Sequence, residues 1–421
     1  MRKIIMAIIF FATSVFIAVS SEPNTISYSP TGISTDSVSA HIDGNAILNN
    51  DAYISKDSIS AVMEADTISA KRPNIFKRII NYFDDSNKPK EYKRFDWSII
   101  GGPHYSSDTQ FGIGLVAAGF YRHNMSDTLT RPSNVSLYGD ISTVGFYMVG
   151  VRGTHIFTGE KNRINYNFYF YHFPREFWGI GYKQGIDMSN KSKFDETHLS
   201  AKIDYLHSLV PGLFMGPQLT FSYSRAVHIR RPELWEGLKH HPATYELGLV
   251  FQYDTRDNLT APERGLLATV TQNFAPRFLF NKQAFSSTDL SFSIYRKVWK
   301  GGLIAGQYHT QLCYGDVPWP SMATFGGSST MRGYYDGRFR DKGEMDLTVE
   351  LRQHVWRRNG IVVWGGVGTV YPKLSAIKMK HMLPNFGIGY RWEFKKQTNI
   401  RLDYGFGRGE NSFIFSINEA F

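Results

Sequence analysis

The stretch Tyr245-Glu246-Leu247-Gly248-Leu249-Val250-Phe251-Gln252-Tyr253-Asp254 decides how the rest of the chain is read. Tyr245, Leu247, Leu249, Phe251 and Tyr253 stand at every second position, against Glu246, Gly248, Gln252 and Asp254. A period of two belongs to a β-strand, whose side chains point alternately to opposite faces. The pattern recurs in Ile164, Tyr166, Phe168 and Phe170 against Arg163, Asn165, Asn167 and Tyr169, and in Leu219, Phe221 and Tyr223 against Gln218, Thr220, Ser222 and Ser224. Leu290, Phe292 and Ile294 repeat it, as do Ile400, Leu402, Tyr404 and Phe406. Alternation alone does not say whether the greasy face meets a dry core or lipid.

Three features favour lipid. About 16 strands of ~10 residues can be laid between Phe95 and Phe421. From about the fifth strand, short turns at Val210-Pro211-Gly212, Trp299-Lys300-Gly301-Gly302, Arg357-Arg358-Asn359-Gly360 and Lys395-Lys396-Gln397 alternate with longer loops, the rhythm of an outer-membrane barrel. The first four strands keep it less well, with a long connection at 124–133 on the expected short-turn side. The last strand sets Phe413, Phe415 and Ile417 against Ser412, Ser416 and Asn418, and the chain ends at Phe421, similar to the C-terminal targeting signal of such barrels. The expected fold is all-β, a transmembrane antiparallel β-barrel over residues 95–421 in the outer membrane of a Gram-negative bacterium. First and last strands must pair, because lipid cannot satisfy an open edge. Mean hydropathy of −0.29 is no objection, since lumen-facing residues offset lipid-facing ones. Aromatics at 15% suit the girdles at the two membrane interfaces.

Upstream, Arg2 and Lys3 precede a largely apolar run from Ile4 to Val19, which reads as a cleavable signal peptide over residues 1–20. The run is shorter than the ~20 residues a spanning helix needs. Residues 21–72 lack sustained periodicity and read as a flexible periplasmic arm. In residues 73–94, Ile75, Phe76, Ile79, Ile80 and Phe83 share one helical face behind Pro73. This short amphipathic helix could lie on the inner leaflet, enter the barrel mouth or pack on its rim.

The net charge of +10 suits anionic lipid head groups; no basic-aromatic motif points to nucleic acid. Cys313 is the sole cysteine, which excludes a disulfide framework. No Ser/His/Asp grouping, phosphate loop or metal-ligand spacing stands out, and His240-His241 lacks a third ligand nearby in sequence. An enzyme, a cofactor and a bound metal are therefore not expected.

Two blocks go further. Tyr253-Asp254-Thr255-Arg256-Asp257-Asn258, followed by Pro262 and Gly265, reads as a charged periplasmic turn in which Asp and Asn bond local backbone. Phe325-Gly326-Gly327-Ser328-Ser329-Thr330-Met331-Arg332-Gly333-Tyr334-Tyr335 lies in a long loop from about Gly315 to Lys342. Together they resemble the BamA/TamA superfamily, also called the bacterial surface antigen family. The first block matches its strand-turn-strand signature at Asp254, Arg256, Asp257 and Gly265. The second matches its hallmark loop, with Gly326, Gly327, Arg332, Gly333 and Tyr334 at or near a tip that folds into the lumen between strands 11 and 12.

A buried arginine needs a partner. Leu347, Val349 and Leu351 toward lipid would turn Thr348, Glu350 and Arg352 inward, and the resemblance makes Glu350 the loop anchor. A departure lies at Gly366, where the family's usual inward aspartate is missing, so how the loop is held is open. Residues 22–94 show no strand-helix-helix-strand-strand repeat, so the resemblance is to short forms lacking the periplasmic POTRA repeats. It implies help with insertion or translocation of protein or lipid, with client outer-membrane proteins or an outer-membrane complex as partners. Gly101-Gly102-Pro103 near the end of the first strand would weaken its ladder and a seam with the last strand, or merely shape the rim. The alternatives are a passive or substrate-selective pore and a structural subunit docking another outer-membrane protein.

Overall fold

A computed structural model describes residues 95–106, 109–122, 130, 132–258, 261–395, 398–417 and 419–421. The expected signal peptide, arm and amphipathic helix of residues 1–94 lie outside them.

Among the described residues eighteen strands follow one another: β1 (Phe95–Ser106), β2 (Gln110–Tyr121), β3 (Ser133–Ser142), β4 (Tyr147–Ile156), β5 (Asn162–Phe177), β6 (Ser192–Val210), β7 (Leu213–Val227), β8 (Ala243–Asp254) and β9 (Arg264–Ala275) in the first half. The second half holds β10 (Phe285–Trp299), β11 (Gly302–Gly315), β12 (Ala323–Phe325), β13 (Phe339–Asp341), β14 (Gly343–Trp356), β15 (Asn359–Tyr371), β16 (Leu383–Lys395), β17 (Thr398–Gly407) and β18 (Glu410–Ile417). β12 and β13 form a small hairpin apart; the other sixteen close an antiparallel barrel in which each strand pairs with its neighbours. β11 and β14 are thus the eleventh and twelfth strands of the wall, and the long loop joins them.

The alternation sorts the side chains as a membrane barrel requires. On β14, Leu347 and Val349 are 47% and 48% exposed, whereas Thr348 and Glu350 in the alternate phase are 1% and 0% exposed. Leu247, Leu249 and Phe251 on β8, Phe292 and Ile294 on β10 and Val363 on β15 continue the outer apolar belt. A soluble monomer seldom exposes so continuous an apolar surface, which suits a covering of acyl chains.

The two ends differ. One end carries the tight turns, with Gly212 between β6 and β7 and Gly301 between β10 and β11 both at positive φ. At the other end the connections spanning 178–191, 228–242 and 316–342 fold over the opening. There Phe177, Phe194, Trp235 and Trp319 form one buried cluster, the two indole rings 5.1 Å apart, and Trp319 Nε1 donates to the Lys239 carbonyl at 3.1 Å. Connections on that end beside β1 and β18 are short, at 143–146 and 408–409.

The wall is unequal around its circumference. β5 and β6 pair without a break from Asn162↔His207 to Phe177↔Ser192. β1 pairs fully with β2, from Phe95↔Tyr121 to Ser106↔Gln110, so Gly101, Gly102 and Pro103 do not interrupt that ladder. Between β1 and β18, among the described residues, only Ser106↔Ile414 pairs. The Tyr105 and Phe413 rings lie 6.2 Å apart across this seam.

Candidate functional site

The inward face of β14 organises the lumen. Its even-numbered residues Glu344, Asp346, Thr348, Glu350 and Arg352 are all buried, and the loop of residues 316–342 returns to the wall at the head of this strand. That loop doubles back through the β12/β13 hairpin, register Phe325↔Phe339. Phe325, Met331, Tyr334 and Phe339 pack with Val370 and Leu383 of the wall. Arg338 next to the hairpin is buried and forms an ion pair with Glu410 of β18 at 2.8 Å.

Arg332 is fully buried. Its guanidinium forks between Glu350 and Asp403 of β17, the latter at 2.6 Å, and lies over the Trp364 ring with its carbon 3.8 Å from the centroid. The pairs continue outward from those two acids. Glu350 also accepts from Arg352 Nε at 2.8 Å, Arg352 faces Glu419 at 3.7 Å, Glu419 accepts from Arg391 Nε at 2.8 Å, and Arg391 Nη1 donates back to Asp403 at 2.5 Å. Arg332, Glu350, Arg352, Glu419, Arg391 and Asp403 therefore form a closed ring of alternating charge. Charges this deep are stable only when matched, and here each acid meets at least two guanidinium groups, Asp403 also facing Arg401 at 3.5 Å.

Backbone contacts complete the tip. The Arg332 carbonyl accepts from Asn385 Nδ2 at 3.0 Å, and Gly333 N donates to Ser412 Oγ of β18 at 3.0 Å. Gly333 has φ +116°, and a Cβ there would lie 2.7 Å from the Phe406 carbonyl carbon. Only glycine suits both that conformation and that approach. Tyr334 donates to the Pro384 carbonyl at 2.7 Å and accepts from Arg408 N at 2.8 Å. Gly327 N bonds the Tyr334 carbonyl at 3.1 Å, and a Cβ on Gly326 would press on the Tyr335 carbonyl at 2.8 Å.

The place left open at Gly366 is now accounted for. A Cβ at Gly366 would meet Asn385 Oδ1 at 2.5 Å and Thr348 Oγ1 at 2.9 Å, so glycine leaves room for the asparagine that holds the loop backbone. The second carboxylate on Arg332 comes from Asp403 instead. Sequence reading missed Asp403, Arg391 and Glu419, although the inward phase of Arg401 and Asp403 on β17 was the available signal.

The turn block is longer than a tight turn, spanning 255–263 between β8 and β9. It is organised by local bonds: Arg256 Nε and Nη2 both reach Asp254 at 2.9 Å, and Asp257 Oδ1 accepts from Glu263 N and Arg264 N at 3.0 and 3.2 Å. Gly265 has φ +97°, and a Cβ would lie 2.2 Å from the Thr255 carbonyl. Phe413 and Phe415 lie on β18, but Phe421 does not extend their series. β18 stops at Ile417, and the Phe421 ring turns toward Tyr295, 6.4 Å away, while its carbonyl accepts from Arg352 at 2.9 Å.

Beyond the wall the loop surface is basic. His381 stacks on Tyr182 at 4.2 Å; partial burial, then Lys378, Lys380 and Lys183, hold its pKa below the ordinary histidine range.

The family model for the Omp85 superfamily domain matches residues 154–421, more than half of the sequence. The chain belongs to the Omp85 superfamily. As such it is an outer-membrane barrel of a Gram-negative bacterium. The Omp85 match falls on the wall and lumen loop, with none of it on residues 1–94. Among solved structures, BamA from Haemophilus ducreyi lacking POTRA domains 1–3 is similar at TM-score 0.55 and 12% identity, over 78% of this chain and 71% of that one. CdiB from Acinetobacter baumannii is similar at TM-score 0.53 and 10% identity, over 78% of this chain and 60% of that one. At these identities the likeness is one of fold. Among curated proteins, none matches the sequence.

Proposed function

We propose that this barrel assists the insertion or translocation of protein at the outer membrane, by offering the β1/β18 seam to a client strand. The observation that carries this reading is that, among the described residues, β1 and β18 share the single register pair Ser106↔Ile414, where every other junction of the wall is a continuous or nearly continuous ladder. An edge with unmet N–H and C=O groups recruits an extended segment by strand addition. The lumen loop has a defined part in this: through Arg332 on Asp403 and Gly333 on Ser412 it braces β17 and β18, so that β18 keeps its shape when β1 swings away. Arg332, Glu350 and the loop glycines Gly326, Gly327 and Gly333 act as structural anchors, without chemistry of their own. The partners are membrane lipid around the apolar belt, anionic head groups beside Lys378 and Lys380, and client outer-membrane proteins or a complex that delivers them.

A through-going pore is disfavoured by the packed mouth of Phe177, Phe194, Trp235 and Trp319. The decisive experiment pairs Ser106→Cys with Ile414→Cys. Cys313, the only native cysteine, is buried, so an oxidised bond forms selectively across the seam. Expected is loss of client-barrel assembly under oxidation, with recovery on reduction. Undisturbed assembly in the cross-linked state, with altered solute permeability on depletion of the protein, would replace the proposal with a selective pore.

A further inference from the structure

We propose that the lumen holds a divalent first-row transition-metal ion, bound by His309 of β11 and by Glu344 and Asp346 of β14 and oriented through Asp289 of β10. The three ligand residues are brought together by the register of adjacent strands, with His309 directly opposite Asp346 and Gln311 opposite Glu344. One donor atom from each lies within 4.8 Å of the others, close to the span of a coordination shell with bonds of ~2.0–2.2 Å. His309 Nδ1 stands 2.6 Å from Glu344 Oε1 and 3.7 Å from Asp346 Oδ2.

The other ring nitrogen, Nε2, faces Asp289 Oδ2 at 3.2 Å. With its proton on Nε2, the imidazole turns a lone pair toward the two acids. A carboxylate behind a histidine in this way is the usual outer partner of a metal ligand, fixing the tautomer and ring plane.

Charge supplies the independent argument. Glu344 and Asp346 are 1% and 2% exposed, and Glu344 Oε2 and Asp346 Oδ1 have no hydrogen-bond partner. Among the described residues, no lysine or arginine pairs with either. The Arg332 ring lower on the same strand shows what this lumen does with buried acids: it matches each with at least two guanidinium groups. Even a protonated His309 leaves three carboxylates against one positive charge, whereas a dication balances two of them. One imidazole with two carboxylates suits zinc or manganese better than a purely oxygen-seeking ion. His309 and Asp289 are 23% and 39% exposed at their side chains, which gives an ion a route from the aqueous lumen. The ion would clip the wall where the long loop rejoins it. The ligands escaped sequence reading because they lie on two strands separated by the whole loop.

The test uses the full protein in detergent, purified without a histidine tag, stripped with chelator and titrated with zinc chloride alone. Metal content is read by mass spectrometry after desalting. About one zinc per chain is expected to remain, to be lost in the Glu344→Gln/Asp346→Asn variant, and to be unchanged in His240→Gln/His241→Gln. Asp289→Asn, which leaves every ligand in place, is expected to weaken binding ~10–100-fold. Wild-type protein that retains no zinc at micromolar concentrations would overturn the proposal in favour of a protonated-histidine clamp. Equal zinc in wild type and in the double variant would overturn it too. Should the double variant fail to fold, unchanged affinity in Asp289→Asn would be the overturning result.

Discussion

The two ends of the inward face of β14 handle the same problem differently. At one end Glu350 and Arg352 belong to a ring in which three acids and three arginines alternate. At the other, Glu344 and Asp346 share one histidine. Burial alone therefore does not predict what a carboxylate contributes; its partners do. In the ring an acid is the counter-charge that keeps two cations underground, and at the loop base an acid is the excess charge itself.

The harshest way to break this comparison is Glu350→Ala. It takes from Arg332 and Arg352 the acid they share, leaving Asp403 and Glu419 alone to balance them, and removal of one member of a buried pair costs ~3–5 kcal/mol. The expected outcome is a barrel whose heat-modifiable migration on gels is lost at much lower temperature. Arg332→Lys keeps the charge but gives up the fork between Glu350 and Asp403, for a loss of about 1.5–3 kcal/mol. The same melting series should place it between Glu350→Ala and wild type. Gly333→Ala forces a side chain into an unfavourable φ and against β17, with strain of ~1–3 kcal/mol, and proteolysis of the loop should reveal its release. The smallest effect has the opposite sign. In chelator-stripped protein, Asp346→Asn removes one of two buried charges that share a single histidine and is expected to raise stability by on the order of 1 kcal/mol. A loss there as large as that for Glu350→Ala would erase the distinction between the two ends.

Much of the fold was legible because membrane strands carry a strict period of two. The phase of Leu347, Val349 and Leu351 was enough to turn Glu350 toward the lumen, whereas the loop around Arg332 was marked by its resemblance to the family's hallmark block. What sequence could not supply was the identity of partners across the barrel. Asp403 lies 71 residues from Arg332 along the chain, and nothing local distinguishes it from any other inward acid. The same holds for His309 against Glu344 and Asp346. Phe421 illustrates a different limit: period two carries a strand forward but does not announce where the chain leaves it, and here it leaves after Ile417 to reach Arg352.

At the crossing of the loop tip over β17, main chain lies on main chain. A Cβ on Gly405 would stand 2.6 Å from the Arg332 carbonyl, and one on Gly407 would stand 2.9 Å from the Tyr334 ring. Sites that contribute no side chain at all are thus among the least replaceable in the protein. Alanine, the customary mild probe, is there an intruder, and a scan that skips glycines would leave this contact undetected.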